Sequence, residues 1–126
     1  MAKVKSEIGP SGQRKYSFER KKLLKQEMDR CLSLLRELGT AEKVILFGTL
    51  AKGSVHEWSD IDLVIVERTQ LPFFQRIKKV RKLLQPKVGM DIMVYTPEEF
   101  AQLCADRPFF REEIIGKGEI LYERTR

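Results

Sequence analysis

Two aspartates at the head of an apolar run constrain this chain more than any other feature of its sequence. Asp60 and Asp62 flank Ile61, and the four residues that follow, 63–66, are all aliphatic. On a β-strand alternate residues share a face, so both carboxylates point the same way, with Cα atoms roughly 6.5–7 Å apart. Carboxylates so placed repel each other and resist desolvation, which a cation such as Mg²⁺ relieves. The alternative is a strand end at the solvent boundary, where the two aspartates only cap the edge.

A third aspartate, Asp91, interrupts a second apolar run over residues 88–94. Aspartate has poor β-propensity, so it costs stability in a strand unless something compensates. If the two strands are neighbours, Asp91 joins Asp60 and Asp62. Three converging carboxylates suit two-metal phosphoryl chemistry, in which the metal ions lie about 4 Å apart.

A glycine turn follows an earlier apolar run over residues 44–47. Gly48 ends this strand, and a short helical turn is predicted for residues 50–53, which would present backbone N–H groups to an anion. Thr49 adds a hydroxyl donor, and Lys52 could reach a phosphate. Plain turn chemistry is the commoner explanation for such a glycine-threonine pair.

The order of the predicted elements indicates an α/β domain. Apolar periodicity predicts helices over residues 17–38 and 71–85, and Thr96 followed by Pro97 is a strong helix start. That third helix should break at Pro108, with a further turn over residues 109–115. The predicted strands cover residues 44–47, 61–66, 88–95 and 119–122. Strands alternating with helices imply one sheet of about four strands flanked by helices.

Residues 1–16 contain glycines and a proline without periodicity, and they are predicted to form a flexible basic arm. Residues 17–126 then form a single domain. No apolar run approaches the roughly 18 residues of a spanning helix, and no secretory signal is evident, so a cytoplasmic protein is expected without membrane contact. Cys31 and Cys104 are predicted to be free thiols.

Charge is unevenly distributed along the chain. Residues 68–90 carry seven basic side chains and no acidic ones, whereas residues 41–67 carry five acidic and two basic. This pattern suits a metal site beside groups that attract phosphate, although charge alone favours a solvated helix face as the explanation. The basic helix has no interleaved aromatic residues, so direct nucleic-acid binding is not expected.

The spacing of these residues resembles a known family. Gly48-Thr49, ten residues and then Asp60-Ile61-Asp62 are similar to the signature of the DNA polymerase β-like nucleotidyltransferases. The short chain, residues 51–53 and Asp91 look most like the minimal nucleotidyltransferase (MNT) proteins. That family usually has serine in place of Thr49, and it often has arginine in place of Lys52, which would bind phosphate in a bidentate way.

The resemblance implies a nucleotidyltransferase fold with a mixed sheet and three catalytic carboxylates. Asp60 and Asp62 would hold the metal that binds the triphosphate. Asp91 would complete a second metal site and help to deprotonate the attacking hydroxyl group. The implied cofactors are two Mg²⁺ ions and ATP as the nucleotide donor.

The resemblance also assigns nucleotide-binding residues. Gly48 and Thr49 would bind the β- and γ-phosphates, and Lys52 would contact phosphate. Ser59 is placed with them, as the residue that orients the loop before Asp60.

MNT proteins of this size are similar to antitoxins of the type VII kind, which are encoded with HEPN ribonucleases. This implies transfer of AMP to a tyrosine of a HEPN partner, and a chain of 126 residues is expected to lack a lobe that presents the acceptor itself. Two alternatives stay open: an antitoxin that only binds its partner, and a transferase that modifies a small molecule such as an antibiotic. A homo- or hetero-oligomer is expected in each case.

Overall fold

A four-stranded mixed sheet lies at the centre of the fold in the computed structural model of this chain, which describes the backbone of residues 2–125 and the side chains of residues 16–125. The strands are β1 (Ala41–Phe47), β2 (Ile61–Glu67), β3 (Met90–Tyr95) and β4 (Glu119–Glu123). Their spatial order is β3-β2-β1-β4. β2 and β3 are parallel, and β1 runs antiparallel to both of its neighbours. The predicted class and number of strands are confirmed.

Five helices and one π-helical turn connect and cover these strands. They are α1 (Ala2–Leu38), α2 (Gly48–Lys52), α3 (Phe73–Leu84), α4 (Pro97–Asp106) and α5 (Pro108–Phe110), which continues into the π-turn Arg111–Gly116. The predicted start of α4 is confirmed, because Thr96 Oγ1 accepts the Glu99 N–H at 3.2 Å and Glu99 Oε1 accepts the Thr96 N–H at 2.8 Å. The predicted break at Pro108 is confirmed too. Within residues 2–125, no helix is long and apolar enough to cross a membrane.

The first helix is longer than predicted, since it begins at Ala2 and not at Ser17. Apolar periodicity indicates only the part of a helix that packs against the rest of the protein. In α1 the first buried apolar side chain is that of Leu24. Residue 1 and the side chains of residues 2–15 lie outside the described part, so the predicted flexibility of residues 1–16 stays a prediction.

Each face of the sheet carries its own apolar layer. One face packs against α1 and α3, and the other packs against α4, α5 and the π-turn. Leu38, the last residue of α1, is 43% exposed because the helix ends there, and Gly39 turns the chain at a φ of 79°. Cys31 is a buried free thiol, and burial raises its pKa to about 11. Cys104 is free as well.

Two arginines of α3 donate hydrogen bonds to neighbouring elements, and one of them, Arg76, is buried, whereas Arg81 is exposed. Arg76 is 8% exposed, and its guanidinium donates to the Glu99 carboxylate at 2.6 Å. It also donates to the Leu71 and Val94 carbonyls. Arg81 donates to the Met90 carbonyl at 2.7 Å. Helical periodicity does not predict the burial of Arg76. A guanidinium can donate to backbone carbonyls while its stem packs on apolar surface.

A largely buried ion pair joins α1 to the end of α3. The carboxylate of Glu27, only 5% exposed, accepts hydrogen bonds from Arg30 Nε at 2.7 Å and from the Lys87 N–H at 2.6 Å. Arg30 in turn donates to the Leu84 carbonyl at 2.9 Å. The hydrogen bond from Arg30 holds the pKa of Glu27 below its usual value.

We expect Glu27→Ala to lower the free energy of unfolding by about 2–3 kcal/mol, because it removes a buried carboxylate that pairs with Arg30 and accepts the Lys87 N–H. Urea denaturation measures the loss. The matched control is Glu37→Ala, which removes an exposed carboxylate from the same helix and should cost less than about 0.5 kcal/mol. Equal losses in the two variants would contradict the role assigned to this ion pair.

Candidate active site

The strand register places two of the three predicted aspartates side by side. In the parallel pairing of β2 with β3, Asp62 lies opposite Asp91. In the antiparallel pairing of β1 with β2, Asp62 lies opposite Phe47, the residue before Gly48. The condition that the two aspartate-bearing strands be neighbours is therefore met, and the glycine turn follows β1 at the same end of these strands.

Asp62 and Asp91 form an electrostatically coupled pair. Burial raises the pKa of Asp62 to about 6, and the adjacent Asp91 carboxyl adds to the rise through a hydrogen bond and through its negative charge. The charge of Asp60 contributes least. Because two carboxylates in contact cannot both ionise without cost, this pair favours sharing either a proton or a cation.

Asp60 lies just before β2 and makes different contacts. Its side chain is 47% exposed, and its Oδ1 accepts a hydrogen bond from Nη2 of Arg20 in α1 at 3.3 Å. Among residues 16–125, no three acidic, histidine or cysteine side chains stand together as a ready set of metal ligands. Asp60 is thus paired with Arg20, whereas Asp62 contacts Asp91.

Two glycines make room for the carboxylates. A Cβ atom at Gly48 would overlap Oδ2 of Asp62 and would lie 3.1 Å from its Cγ. At Gly89, a Cβ atom would lie 2.5 Å from Cγ of Asp60 and 2.8 Å from its Oδ2. Real Cβ atoms do not approach other groups so closely, so both aspartates depend on a bare backbone beside them. The Gly89 contact was missed in the sequence, although a glycine inside an apolar strand run does signal close backbone approach.

The predicted nucleotide-binding residues do not all face the carboxylates. Gly48 and Thr49 begin α2 beside Asp62. Lys52, at the other end of this helix, forms an ion pair with Glu113 of the π-turn at 3.0 Å. Ser59 is buried, and its Oγ accepts the His56 N–H at 2.9 Å, which holds the loop before Asp60 as expected.

A cavity of about 410 Å³ opens on the sheet face that carries Asp62 and Asp91. Its floor includes Phe47, which pairs with Asp62, and Met93, which follows Asp91 by two positions on the same face. Tyr95 and Phe109 line its sides, and Phe109 is 76% exposed. The cavity is mostly apolar and large enough for one aromatic ring.

The raised pKa of Asp62 predicts a pH-dependent stability. A carboxyl whose pKa rises on folding from 3.8 to about 6 stabilises the fold at low pH, and this contribution is lost as the pH rises through about 6. Since the side chain is partly exposed, solvent screening limits the loss to about 1 kcal/mol, or roughly 3–5 °C in Tm.

We therefore expect Asp62→Asn to have a higher Tm than the wild type at about pH 7.5 without divalent cations, and the difference to vanish near pH 4. Thermal unfolding of both proteins across this range measures the effect. Glu27 and Glu99 have lowered pKa values and act in the opposite direction in acid, so the difference between the two proteins is what counts. A difference that does not vary with pH would contradict the prediction.

The chemistry of these donors fits a hard divalent cation. Asp60, Asp62 and Asp91 offer only carboxylate oxygens, the ligand type that Mg²⁺ prefers, and the exposed side chains leave access for a substrate. A divalent cation would also neutralise the repulsion between Asp62 and Asp91, which adds to the effect of burial on the pKa of Asp62.

Several solved structures are similar to this chain at low sequence identity. A proposed nucleotidyltransferase from Sulfolobus solfataricus matches with a TM-score of 0.63 and 17% identity, over 86% of this chain and 88% of that chain. A toxin–antitoxin complex with AMP-PNP matches with a TM-score of 0.49 and 19% identity, over 77% and 73% of the two chains. A complex of a tri-AMPylated Shewanella oneidensis HEPN toxin with an MNT antitoxin matches with a TM-score of 0.46 and 14% identity, over 80% and 73%.

Sequence comparison gives the family. No curated protein sequence matches the chain at a significant level. The sequence model of the family described as polymerase beta, nucleotidyltransferase matches residues 29–126, which is well over half of the chain and includes all three aspartates. The chain has the mixed sheet of that fold and belongs to the polymerase β nucleotidyltransferase family.

Proposed function

We propose that this chain is a Mg²⁺-dependent nucleotidyltransferase that moves AMP from ATP onto a hydroxyl group. The observation that carries the proposal is the register of β2 and β3, which pairs Asp62 with Asp91 beside the glycine turn. Burial and the neighbouring Asp91 raise the pKa of Asp62, so an ionised pair of carboxylates is expected to cost stability near neutral pH and has no structural benefit by itself. Such a cost is typical of a site that is used for chemistry.

In the proposed reaction an acceptor oxygen attacks the α-phosphorus of ATP. A new P–O bond forms, the bond to the β-phosphate breaks, and pyrophosphate leaves. Asp91, exposed at the edge of the sheet, takes the proton of the attacking hydroxyl. Asp60 and Asp62 would hold the metal ions, and bound Mg²⁺ would supply charge neutralisation at the triphosphate.

We propose nucleotide-binding roles for Gly48, Thr49, Ser59 and Lys52. Gly48 and Thr49 offer backbone N–H groups and a hydroxyl to the β- and γ-phosphates. Ser59 acts indirectly, because it fixes the loop that carries Asp60. Lys52 would have to leave Glu113 to reach a phosphate, so its contribution should be smaller than that of Thr49.

We propose a tyrosine of a HEPN-family partner as the acceptor, so that the chain acts as an antitoxin. The cavity beside Asp62 and Asp91 supports this choice, because its aromatic and apolar lining suits a ring that carries a hydroxyl group. A tyrosine side chain seated against Met93 and Phe109 would lie on the sheet face that also carries Asp62 and Asp91.

The proposal is tested by incubating the chain with labelled ATP, Mg²⁺ and the HEPN-type product of a neighbouring gene. Label on the partner that disappears with Asp91→Asn supports the proposed enzyme. Neutralisation of the partner by Asp91→Asn, with no label transferred by the wild type, would instead identify an antitoxin that only binds. Label on an aminoglycoside in the absence of any partner would identify a small-molecule transferase.

A further inference from the structure

One arginine of α1, Arg20, contacts the candidate active site although it is not part of the family signature. Nε of Arg20 donates to the Ser59 carbonyl at 2.9 Å, and its Nη2 donates to Oδ1 of Asp60 at 3.3 Å. These contacts join positions 39 and 40 residues apart in sequence. Arg20 lies upstream of residues 29–126, so the family match does not account for it.

The two bonds fix both the backbone and the side chain at the start of β2. Ser59 is 3% exposed and its carbonyl belongs to the peptide group that leads into Asp60. On the other side, the Asp60 carboxylate lies against the bare backbone of Gly89, whose carbonyl accepts the Ile61 N–H at 3.1 Å. Asp60, although exposed, is thus held between Arg20 and Gly89.

We propose that Arg20 is a positioning residue, which holds Asp60 ready for a divalent cation while the Asp62–Asp91 pair rotates to complete the site. This inference rests on the proposed function. The hydrogen bond from Arg20 uses Oδ1 of Asp60, so Oδ2 can bind a cation without breaking it. Carboxylate ligands are commonly oriented by such outer hydrogen bonds, whose loss costs about 10- to 100-fold in metal affinity.

Arginine suits this task better than lysine because its planar fork can donate to two acceptors at once. The side chain of Arg20 is 23% exposed, so its stem is largely packed and its position is restricted. Arg20→Lys keeps the positive charge and one donor. It should therefore recover only part of what Arg20→Ala loses.

Calorimetric titration with Mn²⁺ alone tests the proposal on the full chain. We expect Arg20→Ala to weaken Mn²⁺ binding about tenfold and Arg20→Lys to fall between it and the wild type. The matched control is Lys22→Ala, which removes a neighbouring exposed positive charge and should bind Mn²⁺ as the wild type does. Unchanged or tighter binding by Arg20→Ala would overturn the proposal, because tighter binding means that Arg20 competes with the cation.

Amide hydrogen exchange without cations separates this inference from the proposed function. If Arg20 positions the loop, the amides of residues 59–61 should exchange faster in Arg20→Ala and unchanged in Lys22→Ala. A wild type that binds no Mn²⁺ but shows this difference would overturn the proposed function and leave the positioning role intact. Equal exchange in all variants would overturn the positioning role itself.

Discussion

Replacing Asp62 with asparagine is expected to slow nucleotidyl transfer by at least about 10²-fold while the fold is preserved, since removing one preorganised charged group from such a site costs about 10²–10³-fold. Asparagine has the same shape as aspartate but only one oxygen and no negative charge, so it binds Mg²⁺ poorly. Asp62 also lies at the centre of the site, between Asp91 on β3 and Phe47 on β1. Single-turnover transfer from labelled ATP measures the rate.

The control must remove an aspartate without touching the site. Asp29→Asn does so, because Asp29 is exposed on α1, and its activity should stay within about twofold of the wild type. Two measurements then separate chemistry from folding. If Asp62→Asn is more stable than the wild type near neutral pH and yet inactive, the carboxylate serves catalysis at a cost to the fold. Full activity in Asp62→Asn would remove the basis of the proposed function.

Much of this site could be predicted from local sequence because its chemistry depends on short spacings. The alternation of Asp60 and Asp62 around Ile61 and the glycine before Thr49 are visible within a few residues. The pairing of Asp62 with Asp91 was only conditional, since periodicity identifies strands but does not give their order in the sheet. In the structure β2 and β3 are parallel neighbours, and their register places Asp62 opposite Asp91.

What could not be predicted depends on contacts between distant residues. Arg20 contacts Asp60, which lies 40 residues later in the sequence. Lys52 was expected to bind phosphate, but it forms an ion pair with Glu113 of the π-turn. Charge type alone does not say which opposite charge a side chain will meet. The same limit explains Arg76, whose place on the helix predicts exposure and whose guanidinium is nevertheless buried against Glu99.

Gly48→Ala is expected to damage the site far more than Gly53→Ala, although the two glycines have the same positive φ. Both have a φ of 76°, which an alanine adopts at a cost of about 1–2 kcal/mol. At Gly53 the added Cβ would meet nothing within 4 Å, whereas at Gly48 it would overlap the Asp62 carboxylate. The difference between the variants therefore reports the contact with Asp62, free of the backbone strain they share.

We expect Gly53→Ala to lose only the stability that backbone strain costs and to keep its transfer rate within about threefold. Gly48→Ala should lose at least about 10²-fold in rate, because displacing a catalytic group by about 1 Å costs that much. A double-mutant cycle identifies the cause. In an Asp62→Ala background the carboxylate is gone, so the stability cost of Gly48→Ala should fall to that of Gly53→Ala. If the cost of Gly48→Ala is the same in both backgrounds, the glycine serves the turn alone and Asp62 does not depend on it.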